Sequence, residues 1–95
     1  MTYNLEFHPL ALKEWKKLAP SIQQRFKKKL QQHLANPRVP ASKLSGHTDA
    51  YKIKLCTIGY RLVYIVKDDV VVVYVLAVDK RENNKVYEAL ATRQP

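Results

Sequence analysis

The sequence predicts a small α+β domain, a single unit over residues 1–95, with the element order β-α-α-β-β-β-α. Three observations indicate this class. Four short segments have the apolar patterns of strands, two N-terminal segments repeat apolar residues at helical spacing, and no repeat or linker divides the chain. We expect a mostly antiparallel twisted sheet, an N-terminal helical hairpin packed on it, and a short C-terminal helix.

The first strand and helix are marked by a change of apolar period. Residues Thr2–Phe7 are apolar at every second position, which predicts a strand buried on one face. His8-Pro9 ends that strand, and Pro9 suits the first turn of a helix, where a missing N–H is tolerated. Four apolar residues at helical spacing are predicted to join the core: Ala11, Leu12, Trp15 and Leu18.

A second helix is predicted to start at Pro20-Ser21 and to stop at Asn36-Pro37. Its apolar residues recur at steps of four: Ile22, Phe26, Leu30 and Leu34. The short joint before Pro20 makes the two helices an antiparallel hairpin. Four cations crowd one turn of the second helix: Arg25, Lys27, Lys28 and Lys29. A loop then runs to Ser45-Gly46.

Three strands follow. Tyr51–Leu55 alternates between apolar residues and lysines, whereas Tyr60–Val66 and Val70–Val78 are apolar on both faces, as expected for strands covered on both sides. Asp68-Asp69 marks a tight turn between the last two strands. The pattern from Glu82 to about Thr92 permits a final helix.

Pairing of these strands predicts a cluster of cations. If Cys56–Gly59 forms the loop of the first hairpin, Lys54 lies directly opposite Arg61, in a strand with no nearby acid. If Val66 pairs with Val71, Arg61 lies opposite Leu76, and the chain leaves the sheet at Arg81, near Arg61. Like charges opposite one another destabilise a hairpin, so we expect an anionic ligand there, with phosphate as the leading candidate.

The overall charge agrees with an anionic partner. The chain has 17 Lys and Arg against 8 acidic residues, a net charge of +9, which indicates nucleic acid, an acidic protein partner, or both. The single Cys56 excludes an internal disulfide, and the three histidines are scattered, so we expect no metal site and no cofactor. The longest apolar run, Val70–Val78, is too short to cross a bilayer, so we expect a cytoplasmic protein without a membrane partner.

The predicted cluster suits cleavage of RNA by its own 2′-hydroxyl. That reaction needs a base for the 2′-OH proton, cations for the charged transition state, and an acid for the 5′-oxygen leaving group. Tyr and Lys have pKa values of roughly 10 in the unperturbed state. Tyr87 lies about one and a half helical turns beyond Arg81 on the possible final helix. Dense positive charge favours the basic form of both residue types, so the base can be Lys54 or Tyr87, and the sequence does not choose between them.

Six segments of the chain resemble the RelE toxins of the bacterial RelE/ParE superfamily. They are ALKEWKKL (Ala11–Leu18), KKKL (Lys27–Leu30), KLSG (Lys43–Gly46), YKIKL (Tyr51–Leu55), GYRLVY (Gly59–Tyr64) and VDKRENNKVYEAL (Val78–Leu90). The resemblance implies a toxin that enters the ribosomal A site and cuts the translated mRNA without metal. It also implies a small, acidic, DNA-binding antitoxin, RelB-like, that forms with the toxin a repressor of their shared operon.

The resemblance also implies roles for individual residues. Lys52 is a phosphate contact, Lys54 a candidate base, and Arg61 stabilises the transition state. Arg81 protonates the leaving group, and Tyr87 stacks on or orients the substrate base. Five further cations are assigned to RNA binding, by way of ribosomal RNA: Arg25, Lys27, Lys28, Lys29 and Lys43. Close relatives carry an arginine in the KLRG version of the loop where this chain has Ser45, so the resemblance does not carry over a direct phosphate contact from this loop.

Two alternatives stay open at this point. The cations on the second helix are equally consistent with a solvated helix face. The whole chain is also consistent with a non-enzymatic binder, either a ParE-like inhibitor of DNA gyrase or a basic module that only binds RNA. The presence of all five residues of the proposed catalytic set favours the enzyme.

Overall fold

The structure, a computed structural model, describes residues 2–44, 46–47, 49–55, 59–80 and 92–93. Its elements are β1 (Asn4–Phe7), α1 (Pro9–Lys16), α2 (Pro20–Ala35), a 3-10 helix (Pro40–Ser42), β2 (Ala50–Leu55), β3 (Tyr60–Lys67) and β4 (Val72–Lys80). The predicted strands and helical hairpin are therefore confirmed, with small shifts at their ends. The predicted final helix falls mainly on residues 81–91, which lie outside the described part of the chain.

The four strands form one mixed sheet in the order β1-β4-β3-β2. β1 is parallel to β4, and the other two pairs are antiparallel. This confirms the α+β class and the mostly antiparallel sheet. β1 and β2 are the two edge strands of the sheet, and β3 and β4 lie between them.

Apolar side chains are buried on both faces of the sheet. On the first face α1 and α2 contribute Ala11, Phe26 and Leu30 to a core that includes Ile53 and Leu62. A second cluster lies on the opposite face: Leu44, Ala50, Val63, Ile65, Leu76 and Ala77. Consecutive residues of β3 and of β4 are buried, which confirms the prediction that these two strands are covered on both sides.

Helix α1 buries less than its apolar pattern predicts. Pro9 occupies its first turn as expected, and the His8 Nδ1 atom accepts a hydrogen bond from the Leu10 N–H at 3.1 Å. Ala11 is buried and Trp15 packs against the core, but Leu12 is 39% exposed. The prediction that Leu12 joins the core is wrong: the side of α1 that faces the core carries Ala11 and Trp15, and Leu12 lies more than a quarter of a turn round the helix from Ala11.

The connection between β3 and β4 is longer than Asp68-Asp69 suggests. Val70 and Val71 belong to the turn and not to the strand: Val70 is 54% exposed and Val71 has a φ of +56°. Tertiary contacts hold the turn in place, since the Asn4 N–H of β1 donates to the Val71 carbonyl at 2.9 Å and the Asp68 carboxylate accepts from Tyr3 and Arg38. The apolar sequence therefore hides a four-residue turn.

Candidate nucleic-acid interface

Three charged residues form one row across strands β2, β3 and β4. Lys54 pairs with Arg61, which confirms the prediction, and Arg61 pairs on its other side with Asp79. Residues that pair across strands share a face, so all three side chains leave the sheet on the same side. We call Lys54, Arg61 and Asp79 the charged row.

The prediction that Arg61 lies opposite Leu76, with no acid near it, is wrong. The four-residue turn moves the β3–β4 register by two positions, so that Val66 pairs with Val73 and not with Val71. A β-bulge between Val63 and Tyr64 moves it by one more. Arg61 therefore pairs with Asp79, three residues beyond the predicted partner.

The carboxylate of Asp79 changes the electrostatic argument for a ligand. Opposite charges at paired positions stabilise a sheet by up to about 1 kcal/mol, which offsets part of the repulsion between Lys54 and Arg61. The like-charged pair by itself therefore does not require an anion. A bound anion is favoured instead by the larger number of cations around the edge of β2.

Lys52 extends the charged row along β2. It lies two residues before Lys54 and therefore on the same face, with a half-buried side chain, whereas Lys54 is exposed. Its cross-strand partner is Val63, which is fully buried. The aliphatic stem of Lys52 thus adjoins the second apolar cluster, where packing can limit its motion.

The cations of α2 do not form one patch. All four side chains are exposed, but they lie on different sides of the helix: Arg25, Lys27, Lys28 and Lys29. Lys27 borders a cavity of about 320 Å³ beside Leu5 of β1. Lys29 reaches the opposite edge of the sheet, where its Nζ donates a hydrogen bond to the Lys54 carbonyl oxygen at 3.2 Å. Only Lys29 is thereby connected to the charged row.

Lys43 also lies at the edge of β2. It forms an isolated antiparallel bridge with Tyr51, and the neighbouring Leu44 N–H donates to the Ala50 carbonyl at 2.9 Å. Lys43 is exposed. The structure therefore brings Lys29, Lys43, Lys52 and Lys54 to one edge strand, although they are distant in sequence.

The remaining members of the predicted catalytic set, Arg81 and Tyr87, lie outside the described residues, as does Ser45. The last pair of the β3–β4 ladder is Tyr60 with Lys80. Strand β4 thus ends one residue before Arg81, at the end of the sheet that holds the charged row.

Sequence reasoning missed a histidine beside the predicted lysines. A cavity of about 350 Å³ lies at the edge of β2, and we call it the β2-edge pocket. It is lined by Lys29, His33, Ala41, Ser42, Lys52, Ile53 and Lys54. The sequence contained one signal for it, because Lys29 and His33 are four residues apart and so lie on one side of α2.

The imidazole of His33 is held by a buried hydrogen-bond chain. Tyr64 is fully buried, and its hydroxyl donates to the Pro37 carbonyl oxygen at 2.7 Å. The His33 Nδ1 atom lies 2.8 Å from the same hydroxyl. Because that hydroxyl has a single proton, His33 Nδ1 must be the donor, which leaves Nε2 as the nitrogen that gains or loses a proton.

The environment of this hydrogen-bond chain shifts the pKa values of both of its titrating groups, Tyr64 and His33. Burial, and then the nearby Tyr51, raise the pKa of Tyr64, so its hydroxyl stays protonated. Burial, and then the positive charge of Lys29, lower the pKa of His33 below its usual value. His33 is therefore neutral at pH 7, and an anion close to it would favour its protonated form.

Neither a metal cluster nor a membrane span is found in the described part of the chain. Among these residues no group of three or more His, Cys, Asp or Glu side chains could hold a metal ion. No helix there is long and apolar enough to cross a membrane.

Comparison with known proteins identifies the class. A family model described as the ParE toxin of the type II toxin-antitoxin system parDE matches residues 5–85. The mRNA interferase toxin RelE of Escherichia coli strain K12 is 50% identical over 93 residues, which are 98% of this chain and 98% of that protein. The mRNA interferase RelE of Shigella flexneri is equally similar, at 50% identity over the same coverage.

Solved structures agree. A mutant of E. coli toxin RelE in the free state superposes with a TM-score of 0.92 at 48% identity and covers 100% of both chains. The toxin in the intact E. coli RelBE complex gives a TM-score of 0.80 at 52% identity, over 82% of this chain and 95% of that one. The chain is thus a toxin of a type II toxin-antitoxin system. Within that class, the chain belongs to the RelE family of the RelE/ParE superfamily.

Proposed function

We propose that this toxin enters the ribosomal A site and cleaves the mRNA there by attack of a 2′-hydroxyl on the adjacent phosphate. The chain is an mRNA interferase toxin of a type II toxin-antitoxin system. One observation supports this most strongly: 50% identity over 98% of the chain to proteins named as mRNA interferases. The described part of the predicted catalytic set, Lys52, Lys54 and Arg61, lies on one face of the sheet.

In the proposed reaction these cations act on the scissile phosphate. Lys52 contacts the phosphate. The guanidinium of Arg61 binds as a bidentate fork and stabilises the charge that develops in the transition state. Asp79 beside Arg61 is suited to hold the guanidinium in one orientation. Arg81 is proposed to protonate the 5′-oxygen, and Tyr87 to stack on the substrate base.

The general base of the reaction is proposed to be Lys54 or Tyr87. Lys54 has Arg61 across the sheet and Lys52 two residues away, and positive neighbours favour a neutral amine. Neither group has a pKa matched to neutral pH in the unperturbed state. Cleavage of free RNA is therefore expected to be slow, and the ribosome would supply the in-line geometry.

The proposed protein partner is a RelB-like antitoxin. RelE toxins have been solved in complex with RelB, in E. coli and in Pyrococcus horikoshii, the latter toxin being 27% identical to this chain. A net charge of +9 favours an acidic partner. We further propose that the antitoxin binds operator DNA, that the complex represses its own operon, and that the toxin acts in the cytoplasm on the small ribosomal subunit.

A second candidate function has one observation in its favour. The family model that matches residues 5–85 is described as a ParE toxin. A ParE-like toxin would inhibit DNA gyrase without cleaving RNA. The charged row and Lys52 favour cleavage, because a gyrase inhibitor does not need cations arranged around a phosphate.

Ribosomes programmed with a defined mRNA test the proposal. New 5′ ends are mapped by primer extension with the toxin, without it, and with the same mRNA free of ribosomes. We expect cuts in the A-site codon that depend on the ribosome. Arg61→Ala should lower the rate by orders of magnitude, whereas Lys13→Gln, which removes one exposed charge from α1, should not.

Two results would contradict the proposal. Cleavage that is equal with and without ribosomes would exclude the ribosomal mechanism. The absence of any cut, combined with inhibition of DNA supercoiling by purified gyrase, would favour the ParE-like function.

A further inference from the structure

The β2-edge pocket is lined by hydrogen-bond donors and positive charge. Lys29 comes from α2, Ser42 from the 3-10 helix, and Lys52 and Lys54 from β2, with His33 beside them. No carboxylate is among the described residues that line it. Lysine ammonium groups and a serine hydroxyl are common ligands of phosphate, and a pocket of this composition repels other cations.

The pocket is held together by contacts that do not depend on a ligand. The Lys29 ammonium is anchored on the Lys54 carbonyl oxygen at 3.2 Å, which fixes it at the rim. The His33 ring stands edge-on to the Tyr64 ring, with centroids 5.8 Å apart, and its Nδ1 donates to the Tyr64 hydroxyl. Both groups are therefore positioned before any anion arrives, which lowers the entropic cost of binding.

We propose that the β2-edge pocket binds one phosphate group of an RNA backbone, a phosphate other than the one that is cleaved, and that His33 is one of its ligands. That the phosphate belongs to RNA rests on the proposed function, whereas the binding of phosphate by the pocket does not. The pocket shares Lys52 and Lys54 with the predicted catalytic set, so a strand held at the charged row would continue past the edge of β2.

His33 makes this binding depend on pH. Among the described residues, Lys29 on α2 is the cation that acts on its ring, Tyr64 on β3 is its hydrogen-bond partner, and Tyr51 on β2 stacks on Tyr64. Lys52 and Lys54 line the same pocket from β2. Neutral His33 has a lone pair on Nε2, which repels a phosphate oxygen, whereas the protonated ring offers a donor there. Protonation and phosphate binding therefore favour one another, and by linkage each must strengthen the other by the same factor.

The test uses the full chain and NMR titration of its histidine Cε1–Hε1 signals against pH. Spectra are recorded at constant ionic strength with inorganic phosphate, with sodium chloride, and with a short 2′-O-methyl RNA that cannot be cleaved. We expect phosphate and RNA to raise the pKa of His33 by about one unit, equivalent to about tenfold tighter binding by the protonated form. The signals of His8 and His47 should not respond.

Variants separate a specific site from general attraction to a basic protein. Lys29→Gln should abolish the response of His33, while Lys13→Gln, with the same loss of charge on α1, should preserve it. An unchanged pKa of His33, or an equal response in Lys29→Gln, would overturn the site. A response to a glutamate-rich peptide but not to phosphate or RNA would overturn the phosphate assignment in favour of a carboxylate from a protein partner.

The ribosomal cleavage assay distinguishes this inference from the proposed function. Phosphate binding at His33 without A-site cuts would uphold the pocket and reject the proposed reaction. A-site cuts with no response at His33 would reject the pocket alone.

Discussion

The hydroxyl of Tyr64 is predicted to hold the loop after α2 against the sheet, and Tyr64→Phe tests this. The substitution keeps the buried ring and its stacking on Tyr51, at a centroid distance of 5.7 Å, and removes a single oxygen. Two hydrogen bonds are lost, one to the buried Pro37 carbonyl and one from His33. The effect therefore isolates polar contacts from packing.

The expected cost follows from the burial of the two partners. An unsatisfied buried carbonyl costs about 1–3 kcal/mol, while the half-buried His33 N–H can recover part of its loss by bonding to water. Phenylalanine regains up to about 1 kcal/mol because no hydroxyl is desolvated. We expect a net loss of about 1.5–2.5 kcal/mol in the free energy of unfolding, which lowers the Tm of a domain of this size by on the order of 10 °C.

Urea unfolding of the free protein measures this loss, with Tyr74→Phe as the matched control. Tyr74 is half-buried, and its ring contacts His8 and Lys67. The control should stay within about 0.5 kcal/mol of the parent. A change in Tyr64→Phe no larger than in the control would refute the assignment of a stabilising role to the hydroxyl.

Three further predictions concern other parts of the molecule. Glu14→Gln removes the charge that accepts two hydrogen bonds from Arg93, at 2.9 and 3.1 Å, and should lower the free energy of unfolding by about 1–3 kcal/mol, whereas exposed Glu6→Gln should not. Hydrogen bonds from Tyr3 and then Arg38 lower the pKa of Asp68 in the folded protein. The ionised Asp68 therefore stabilises the fold at pH values above its unfolded pKa near 4, and this stability is lost as the pH falls through the lower folded pKa. Thermal melts between pH 2 and 7 should show a shallower acid loss in Asp68→Asn than in the parent. Asp79→Asn should tighten binding of a 2′-O-methyl RNA severalfold at low salt, because it removes the negative charge beside Arg61; unchanged or weaker binding would contradict the electrostatic role of Asp79.

Asp79 shows why pairing arithmetic from sequence succeeds over short distances and fails over longer ones. The β2–β3 hairpin has a short loop, so the Lys54–Arg61 pair was predictable. The β3–β4 register depends on turn length and on a bulge, and the turn is held by contacts with β1 and with Arg38 in the loop after α2. An apolar pair such as Val70-Val71 gives no local sign that it belongs to a turn.

The β2-edge pocket was beyond prediction for a related reason. The cations of α2 appear in sequence as one block, yet a helix distributes consecutive residues around its axis, so Lys27 and Lys29 reach opposite edges of the sheet. The one sign of His33 in the sequence is Lys29, four residues earlier on the same side of α2, and it does not show that β2 lies beside both residues. The environment of His33 depends on Tyr64 of β3, which is distant in sequence and whose hydroxyl lies 2.8 Å from the His33 Nδ1 atom.

The sequence by itself determined the class of this protein. Apolar periodicity specified the strands and helices, because periods of 2 and 3.6 are local properties of the backbone, and the ordered motifs from Ala11 to Leu90 identified the RelE family. The tertiary structure alone decided the partner of Arg61, the division of the α2 cations, and the meeting of His33 with Lys29, Lys52 and Lys54. These depend on register, helix rotation and packing, which arise from contacts between residues far apart in the chain.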